Sequence, residues 1–382
     1  MTDSATPRSV YVHVPFCRHR CGYCDFTLVA GRDELIDKYL LALDREMSVV
    51  ASRPEIETLF VGGGTPTHLA PHQLERLFAI IHERFQLAPD AEVSLEANPL
   101  DFCDPQIGKA RRDVLNAAGV NRLSLGIQSF DANVLKLLER DHSPEDILHA
   151  VNVVREQVTN ISFDLIFGAP GQTLSLWKKT LNEAVALSPK HLSTYGLTFE
   201  KGTRFWGRRQ KGELVQIPEE QEREMYAAAM DQLSAAGYRQ YELSNFAWPG
   251  FESRHNNVYW TGRSFFGFGP GAAQLIDGRR TVNHRSVTTW IKRTLAGQNA
   301  VGEIEKLSPE ERAREMFVLG LRRIEGIEKR NFHRQTGYWP ADLSKDAIHR
   351  HVQSGLLEET EMYLRLTREG RFLADSVVVD CL

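Results

Sequence analysis

The stretch CRHRCGYCDF, residues 17 to 26, holds three of the chain's five cysteines. Cys17, Cys21 and Cys24 are separated by three residues and then by two. Thiolates this close together hold zinc or an iron–sulfur cluster, or carry out thiol chemistry. A structural zinc takes four closed ligands, and His13 or His19 is near enough in sequence to supply the fourth. A four-iron cluster on three thiolates instead leaves one iron without a protein ligand. Such an open position is what a metal centre needs to bind and activate a substrate, whereas ordinary electron-transfer clusters take four cysteines. Phe26 stands where a fourth soft ligand would extend the series. Cys103 and Cys381 lie far off and read as packing residues, one near a helix start and one in the terminal tail.

Other chemistry-bearing residues cluster after short apolar runs. VGGGTPT (61–67) offers a glycine turn whose backbone groups can approach a ligand closely. LEANP places Glu96, LGIQSF places Gln128, and FDLIFGAPGQT places Asp164 at or near strand ends, with Arg140 in the helix after Gln128. Any one of them alone reads as a solvated polar residue or a cap. RHNNVYW (254–260) adds His255, a possible iron ligand or a buried structural histidine.

The elements that must carry these residues alternate. Strands are expected at Val10–Val14, Thr58–Val61, Glu92–Glu96, Arg122–Gln128, Ile161–Phe167 and His191–Thr198. Between them run helical patterns, the first carrying Leu35, Ile36, Tyr39, Leu40, Leu43, Met47 and Val50 on one face. Others cover Pro71–Phe85, Pro105–Ala118, Pro144–Glu156 and Leu174–Leu187. Six strands and five crossovers imply an α/β fold with a parallel sheet. Polar residues at strand ends favour a partial (β/α)6, TIM-like barrel over a doubly wound sheet. Further on, a helix over 218–236 leads into YRQYELSNFA as one more strand, and Asp277–Gly278 reads as a hairpin turn. The expected division is a flexible tail (1–9), a core barrel (10–215), an extension (216–306) and a small helical, winged-helix-like domain (307–382).

Bulk properties narrow the function. The net charge is −4, and residues 307–382 carry 12 Lys/Arg against 13 Asp/Glu, so nucleic acid is not an expected partner. No apolar run approaches the roughly 20 residues of a membrane span, and the polar first nine residues do not resemble a signal peptide. An odd, low cysteine count argues against a disulfide framework and for a cytoplasmic location.

CxxxCxxC resembles the signature of the radical S-adenosylmethionine superfamily, and GGGTPT its GGE-type loop, with Thr65 in place of the acid. The resemblance implies a [4Fe–4S] cluster on Cys17, Cys21 and Cys24. Its open iron would chelate S-adenosylmethionine, and reduction would cleave that cofactor to a deoxyadenosyl radical. By matching motif, the contacts to S-adenosylmethionine would be Tyr11, Gly63, Gly64, Thr65, Glu96, Gln128, Arg140 and Asp164. YVHVPFC, GGGTPT, EANP and GIQSF further resemble the coproporphyrinogen-oxidase-like branch over essentially the whole chain. True oxygen-independent oxidases resemble CxxxCxxCxC and carry an N-terminal arm. Phe26 in the last place and Tyr11 near the start instead resemble the HemW-type heme chaperones.

That likeness implies heme as ligand, acceptor heme proteins (respiratory ones among them) as partners, a homodimer, and His255 of the HNxxYW motif as candidate heme ligand. The competing expectations are oxidative decarboxylation of coproporphyrinogen III and a structural zinc protein.

Overall fold

The computed structural model describes residues 6–50 and 52–382. Six strands form the heart of a parallel sheet: β1 (Ser9–Val14), β2 (Glu55–Gly63), β3 (Gln86–Ala97), β4 (Arg122–Gln128), β5 (Asn160–Phe167) and β6 (His191–Gly196), side by side in chain order. The intervening helices include α1 (Ile36–Met47), α2 (Pro71–Arg84), α3 (Pro105–Ala117), α4 (Ala132–Leu137), α5 (Pro144–Arg155) and α6 (Leu174–Ala186). Proline at the first helical turn starts α2, α3 and α5, where its missing N–H costs nothing. Asp104, Ser143 and Thr173 cap the backbone N–H groups of α3, α5 and α6.

β1 shows how alternation sorts the layers. Val10, Val12 and Val14 are fully buried in the apolar core, with Tyr39, Leu40 and Leu43 of α1 and Leu77 of α2. Tyr11 and His13, on the opposite face of the pleat, point into the concave interior. Parallel strands in chain order put all carboxyl ends on one rim.

Among the described residues the sheet has nine strands and stays open, without barrel closure. Phe266–Phe268 adds a parallel edge strand beside β1, and Asn245–Ala247 then Arg239–Gln240 add antiparallel strands beyond β6. YRQYELSNFA is therefore two short strands around a turn and not one. Asp277–Gly278 does turn a hairpin between Ala273–Ile276 and Arg279–Asn283, both residues adopting positive φ. The chain's last part packs helices Pro309–Leu321, Lys329–Thr336 and Pro340–Gln353 around a three-stranded antiparallel sheet, with its own core of Phe317, Leu321, Leu364 and Val377. Cys381 lies buried in the closing helix Ala374–Cys381, not in a tail.

Residues 6–9 also differ from the tail expectation. Ser9 is already in β1, and Arg8 pairs with Glu55 and Glu57; the first five residues lie outside the described ones. Among the described residues no helix is long and apolar enough to cross a membrane.

The edge strand depends on a glycine. A Cβ on Gly267 would lie 1.8 Å from the Ala273 carbonyl oxygen. Gly267→Ala is expected to cost at least about 1–3 kcal/mol, as overpacking does, read as a lower thermal midpoint than that of Gly207→Ala, whose Cβ would meet open space.

Candidate functional site

The carboxyl rim opens into a cavity of about 880 Å³, within the range of small-molecule and cofactor sites. Cys17, Cys21 and Cys24 all line it. Cys17 ends a two-residue strand, Phe16–Cys17, paired in parallel with Val29–Ala30, and its Sγ is 3.3 Å from Thr65 Oγ1. Cys21 Sγ is 3.5 Å from Arg140 Nη1. Burial pushes the Cys17 thiol up to about 12, against a smaller opposing effect of its Thr65 hydrogen bond, and burial likewise raises Cys24. These thiols need a nearby cation to ionise, and a bound metal centre provides one.

The thiols do not meet at one point. Among the described residues no three His, Cys, Asp or Glu side chains converge closely enough to hold a single metal ion. The two histidines that could complete a zinc site are engaged elsewhere. His13 bonds Tyr11 Oη at 2.8 Å and the Thr27 carbonyl at 2.6 Å, and His19 sits at the surface 3.8 Å from Glu139. Three separated thiols around one cavity suit a polynuclear cluster better than a closed zinc site.

The glycine turn locks onto the loop. Gly64 N–H donates to the Val14 carbonyl and Thr65 N–H to the Phe16 carbonyl, both at 2.8 Å. Gly63 has φ +106°, and a Cβ there would lie 2.3 Å from the His13 ring. Its N–H donates to Glu96 Oε2 at 2.8 Å. Burial raises the Glu96 carboxyl to about 7, with the Gly63 hydrogen bond opposing and Asp164 adding to the rise. Asp164, on β5, accepts from Ser124 Oγ at 3.0 Å, and burial raises it too.

Gln128 closes β4 with φ +60°, uncommon for a side chain of this kind, just after a register shift against β5. The turn aims its amide into the cavity, where Oε1 is buried without a partner. Arg140 lies past α4, just after the turn that ends it and not within the helix, donating to the Gly126 carbonyl at 3.1 Å while its buried Nε has no acceptor. Orphaned polar atoms in a cavity signal a missing polar ligand. Gly63, Gly64, Thr65, Glu96, Gln128, Arg140 and Asp164 thus share one wall with the cysteines.

Two expected residues are not brought there. Tyr11 does not line the cavity, its hydroxyl being held by His13. His255 is fully buried near the amino ends of the strands, where Thr58 Oγ1 lies 2.9 Å from Nδ1 and Tyr259 Oη 2.8 Å from Nε2. Its backbone N–H donates to Glu92, and burial drives its pKa down to about 3. Both ring nitrogens of His255 are thus engaged by hydroxyl groups, away from the cavity that holds the cysteines.

The cysteine loop has support that its spacing did not reveal. In the helix Arg204–Gln210, Phe205 N–H donates to the Gly22 carbonyl at 2.8 Å, and its ring fills the place of a Gly22 Cβ. Arg204 reaches the Arg20 carbonyl at 2.8 Å and pairs with Glu139. The aromatic run RFW was the only signal of this brace.

Comparison with known proteins agrees with this arrangement. Residues 11–184 match the radical SAM superfamily, and residues 307–373 match the HemN C-terminal domain. The chain is 38% identical to the heme chaperone HemW of Bacillus subtilis (strain 168), over 97% of this chain and 98% of that one. It is 34% identical to the heme chaperone HemW of Lactococcus lactis, over 97% and 96%. The chain belongs to the HemW family. Its fold also matches coproporphyrinogen III oxidase (HemN) from Escherichia coli, with a TM-score of 0.85 and 25% identity over 99% of this chain and 90% of that one.

Membership of the radical SAM superfamily implies a [4Fe–4S] cluster and S-adenosylmethionine. Three thiols, a glycine cradle and orphaned polar atoms on one wall fit both groups. Anaerobic reconstitution with iron and sulfide is expected to give a brown chromophore. Cys17→Ser, Cys21→Ser and Cys24→Ser should each abolish it, and Cys103→Ser and Cys381→Ser should leave it intact.

Glu96 generates a pH prediction. Its folded pKa lies above the unfolded carboxyl value of about 4.3, so between those values the folded state holds more protons than the unfolded one. Stability contributed by this group therefore falls as pH rises from about 4.3 to about 7. Binding of a cationic ligand beside Glu96 should tighten over the same rise and level off above about pH 7, and Glu96→Gln should flatten the profile in calorimetric titration with S-adenosylmethionine.

Proposed function

We propose that this chain binds heme and passes it to acceptor heme proteins, in the cytoplasm, using a radical SAM scaffold. The observation that carries the reading is near-full-length similarity to proteins named heme chaperone HemW. Phe26 supports it: a half-exposed aromatic lines the cavity beside the three cysteines, in the position where a fourth thiol would stand.

In this reading Cys17, Cys21 and Cys24 hold the [4Fe–4S] cluster. Gly63, Gly64, Thr65, Glu96, Gln128, Arg140 and Asp164 hold S-adenosylmethionine. Arg140 places positive charge beside Cys21 and offsets the thiolates. The Glu96 carboxylate, aimed by the Gly63 N–H, accepts a ligand amine, and the unpartnered Gln128 amide orients a polar tail. When bound and reduced, the cluster supplies reductive cleavage of S-adenosylmethionine. Tyr11 holds the His13 ring against the glycine turn and acts through it. The homodimer and respiratory acceptors implied by family likeness belong to the same proposal.

Titrating the reconstituted chain with hemin tests it by absorbance. Saturable binding near one equivalent is expected, and its absence would remove the chaperone reading. His255→Ala should retain hemin binding within about threefold while lowering the thermal midpoint. Truncating a buried hydrogen-bonded side chain leaves Thr58 and Tyr259 without their partner, at a cost of about 1–3 kcal/mol.

The second reading, oxidative decarboxylation of coproporphyrinogen III, draws on the structural match to the HemN oxidase. An anaerobic assay with the reconstituted cluster and a reductant separates the two, since sustained protoporphyrinogen formation would favour the oxidase.

A further inference from the structure

The cysteine-bearing wall leaves part of the cavity unaccounted for. Tyr226, Leu243, Arg322, Arg371 and Phe372 also line it, from elements after β6. This part is apolar and aromatic, with two arginines set into it. Tyr226 stacks parallel to Phe167 at 6.2 Å and meets Phe372 edge-on at 5.6 Å.

Each arginine is seated from behind. The Arg322 guanidinium lies 4.8 Å from the centre of the Trp260 ring, and its Nη2 is 3.7 Å from Glu242 Oε2. Arg371 Nη1 donates to Gln240 Oε1 at 3.1 Å, and Gln240 Nε2 in turn donates to Tyr226 Oη at 2.8 Å. The Nε atoms of both arginines are buried without an acceptor. Arg322 and Arg371 both line this cavity together with Tyr226. Glu242 already pairs with Arg322, and the buried, unpartnered Nε donors of the two half-buried arginines suit a further anion. Of the acids on this wall, Glu222 is raised by burial and then by Glu219, and Asp375 is exposed.

We propose that Arg322 and Arg371 form a clamp for the two propionate carboxylates of heme, whose ring sits in the part of the cavity lined by Tyr226 and Phe372. Planar forked donors suit carboxylates, and flat aromatic surfaces suit a macrocycle. The assignment rests on the heme reading above. It also gives the HNxxYW motif a different part: Trp260 positions Arg322, while His255 holds the buried floor.

The test is an absorbance titration of the reconstituted full chain with hemin and with hemin dimethyl ester, whose propionates carry no charge. The unaltered chain should prefer hemin by at least tenfold. R322Q/R371Q should bind both alike, with its cluster absorbance retained. Equal binding of hemin and its diester by the unaltered chain would overturn the clamp without needing any variant to fold, as would a double variant that keeps the preference. Tighter binding of coproporphyrin III than of hemin would overturn heme as the occupant. Saturable binding of the diester with no preference for hemin leaves the chaperone reading standing while the clamp fails. Binding of neither compound removes both.

Discussion

The site depends on one interlock, the seating of the Gly62–Gly63–Gly64 turn against the exit of β1. The N–H groups of Gly64 and Thr65 donate to the Val14 and Phe16 carbonyls, which fixes the start of the cysteine loop relative to β2. Side chains cannot be tolerated there. A Cβ on Gly64 would lie 2.7 Å from the Phe16 carbonyl oxygen and 2.8 Å from that of Val14, and both are backbone atoms that cannot swing away. The same turn aims Glu96 through the Gly63 N–H and brings Thr65 to Cys17. A shift at this contact would move thiols and carboxylate together.

Around that interlock the interior of the sheet divides by depth. Near the amino ends of the strands, Glu92, Thr58, His255 and Tyr259 satisfy one another and leave no open donor. Ser162, His191 and Tyr241 form a second such chain. At the carboxyl rim Gln128 Oε1 and Arg140 Nε are buried and unpartnered, as are Ser9 Oγ, Arg122 Nε and Asn160 Oδ1 at the amino ends. Closed networks rigidify a floor, whereas open ones await a ligand.

Much of the architecture was legible because its signals are local and periodic. Alternation in SVYVHV and the proline-started helices marked the strands and crossovers to within a few residues. Elements held mainly by distant partners were not legible. Phe266–Phe268 is three residues long and is a strand because β1 offers it an edge. The brace at Arg204–Gln210 exists through contacts with Gly22 and Glu139. Arg140 read as helical from its neighbours, yet Glu139 takes φ +56° and ends the turn before it.

CxxxCxxC, with its spacing and with Phe26 following, already limited the chemistry to a soft-ligand metal centre or thiol chemistry, because thiolate affinity is a property of the residues themselves. Polar residues after apolar runs likewise pointed to one rim, since parallel strands share a direction. Folding alone settled which polar atoms would be satisfied. It buried His255 between Thr58 and Tyr259, distant in sequence on one side and near on the other, and it left Gln128, Arg140, Arg322 and Arg371 with donors or acceptors unmet. Hydrogen-bond satisfaction depends on three-dimensional neighbours, and no spacing along the chain encodes it.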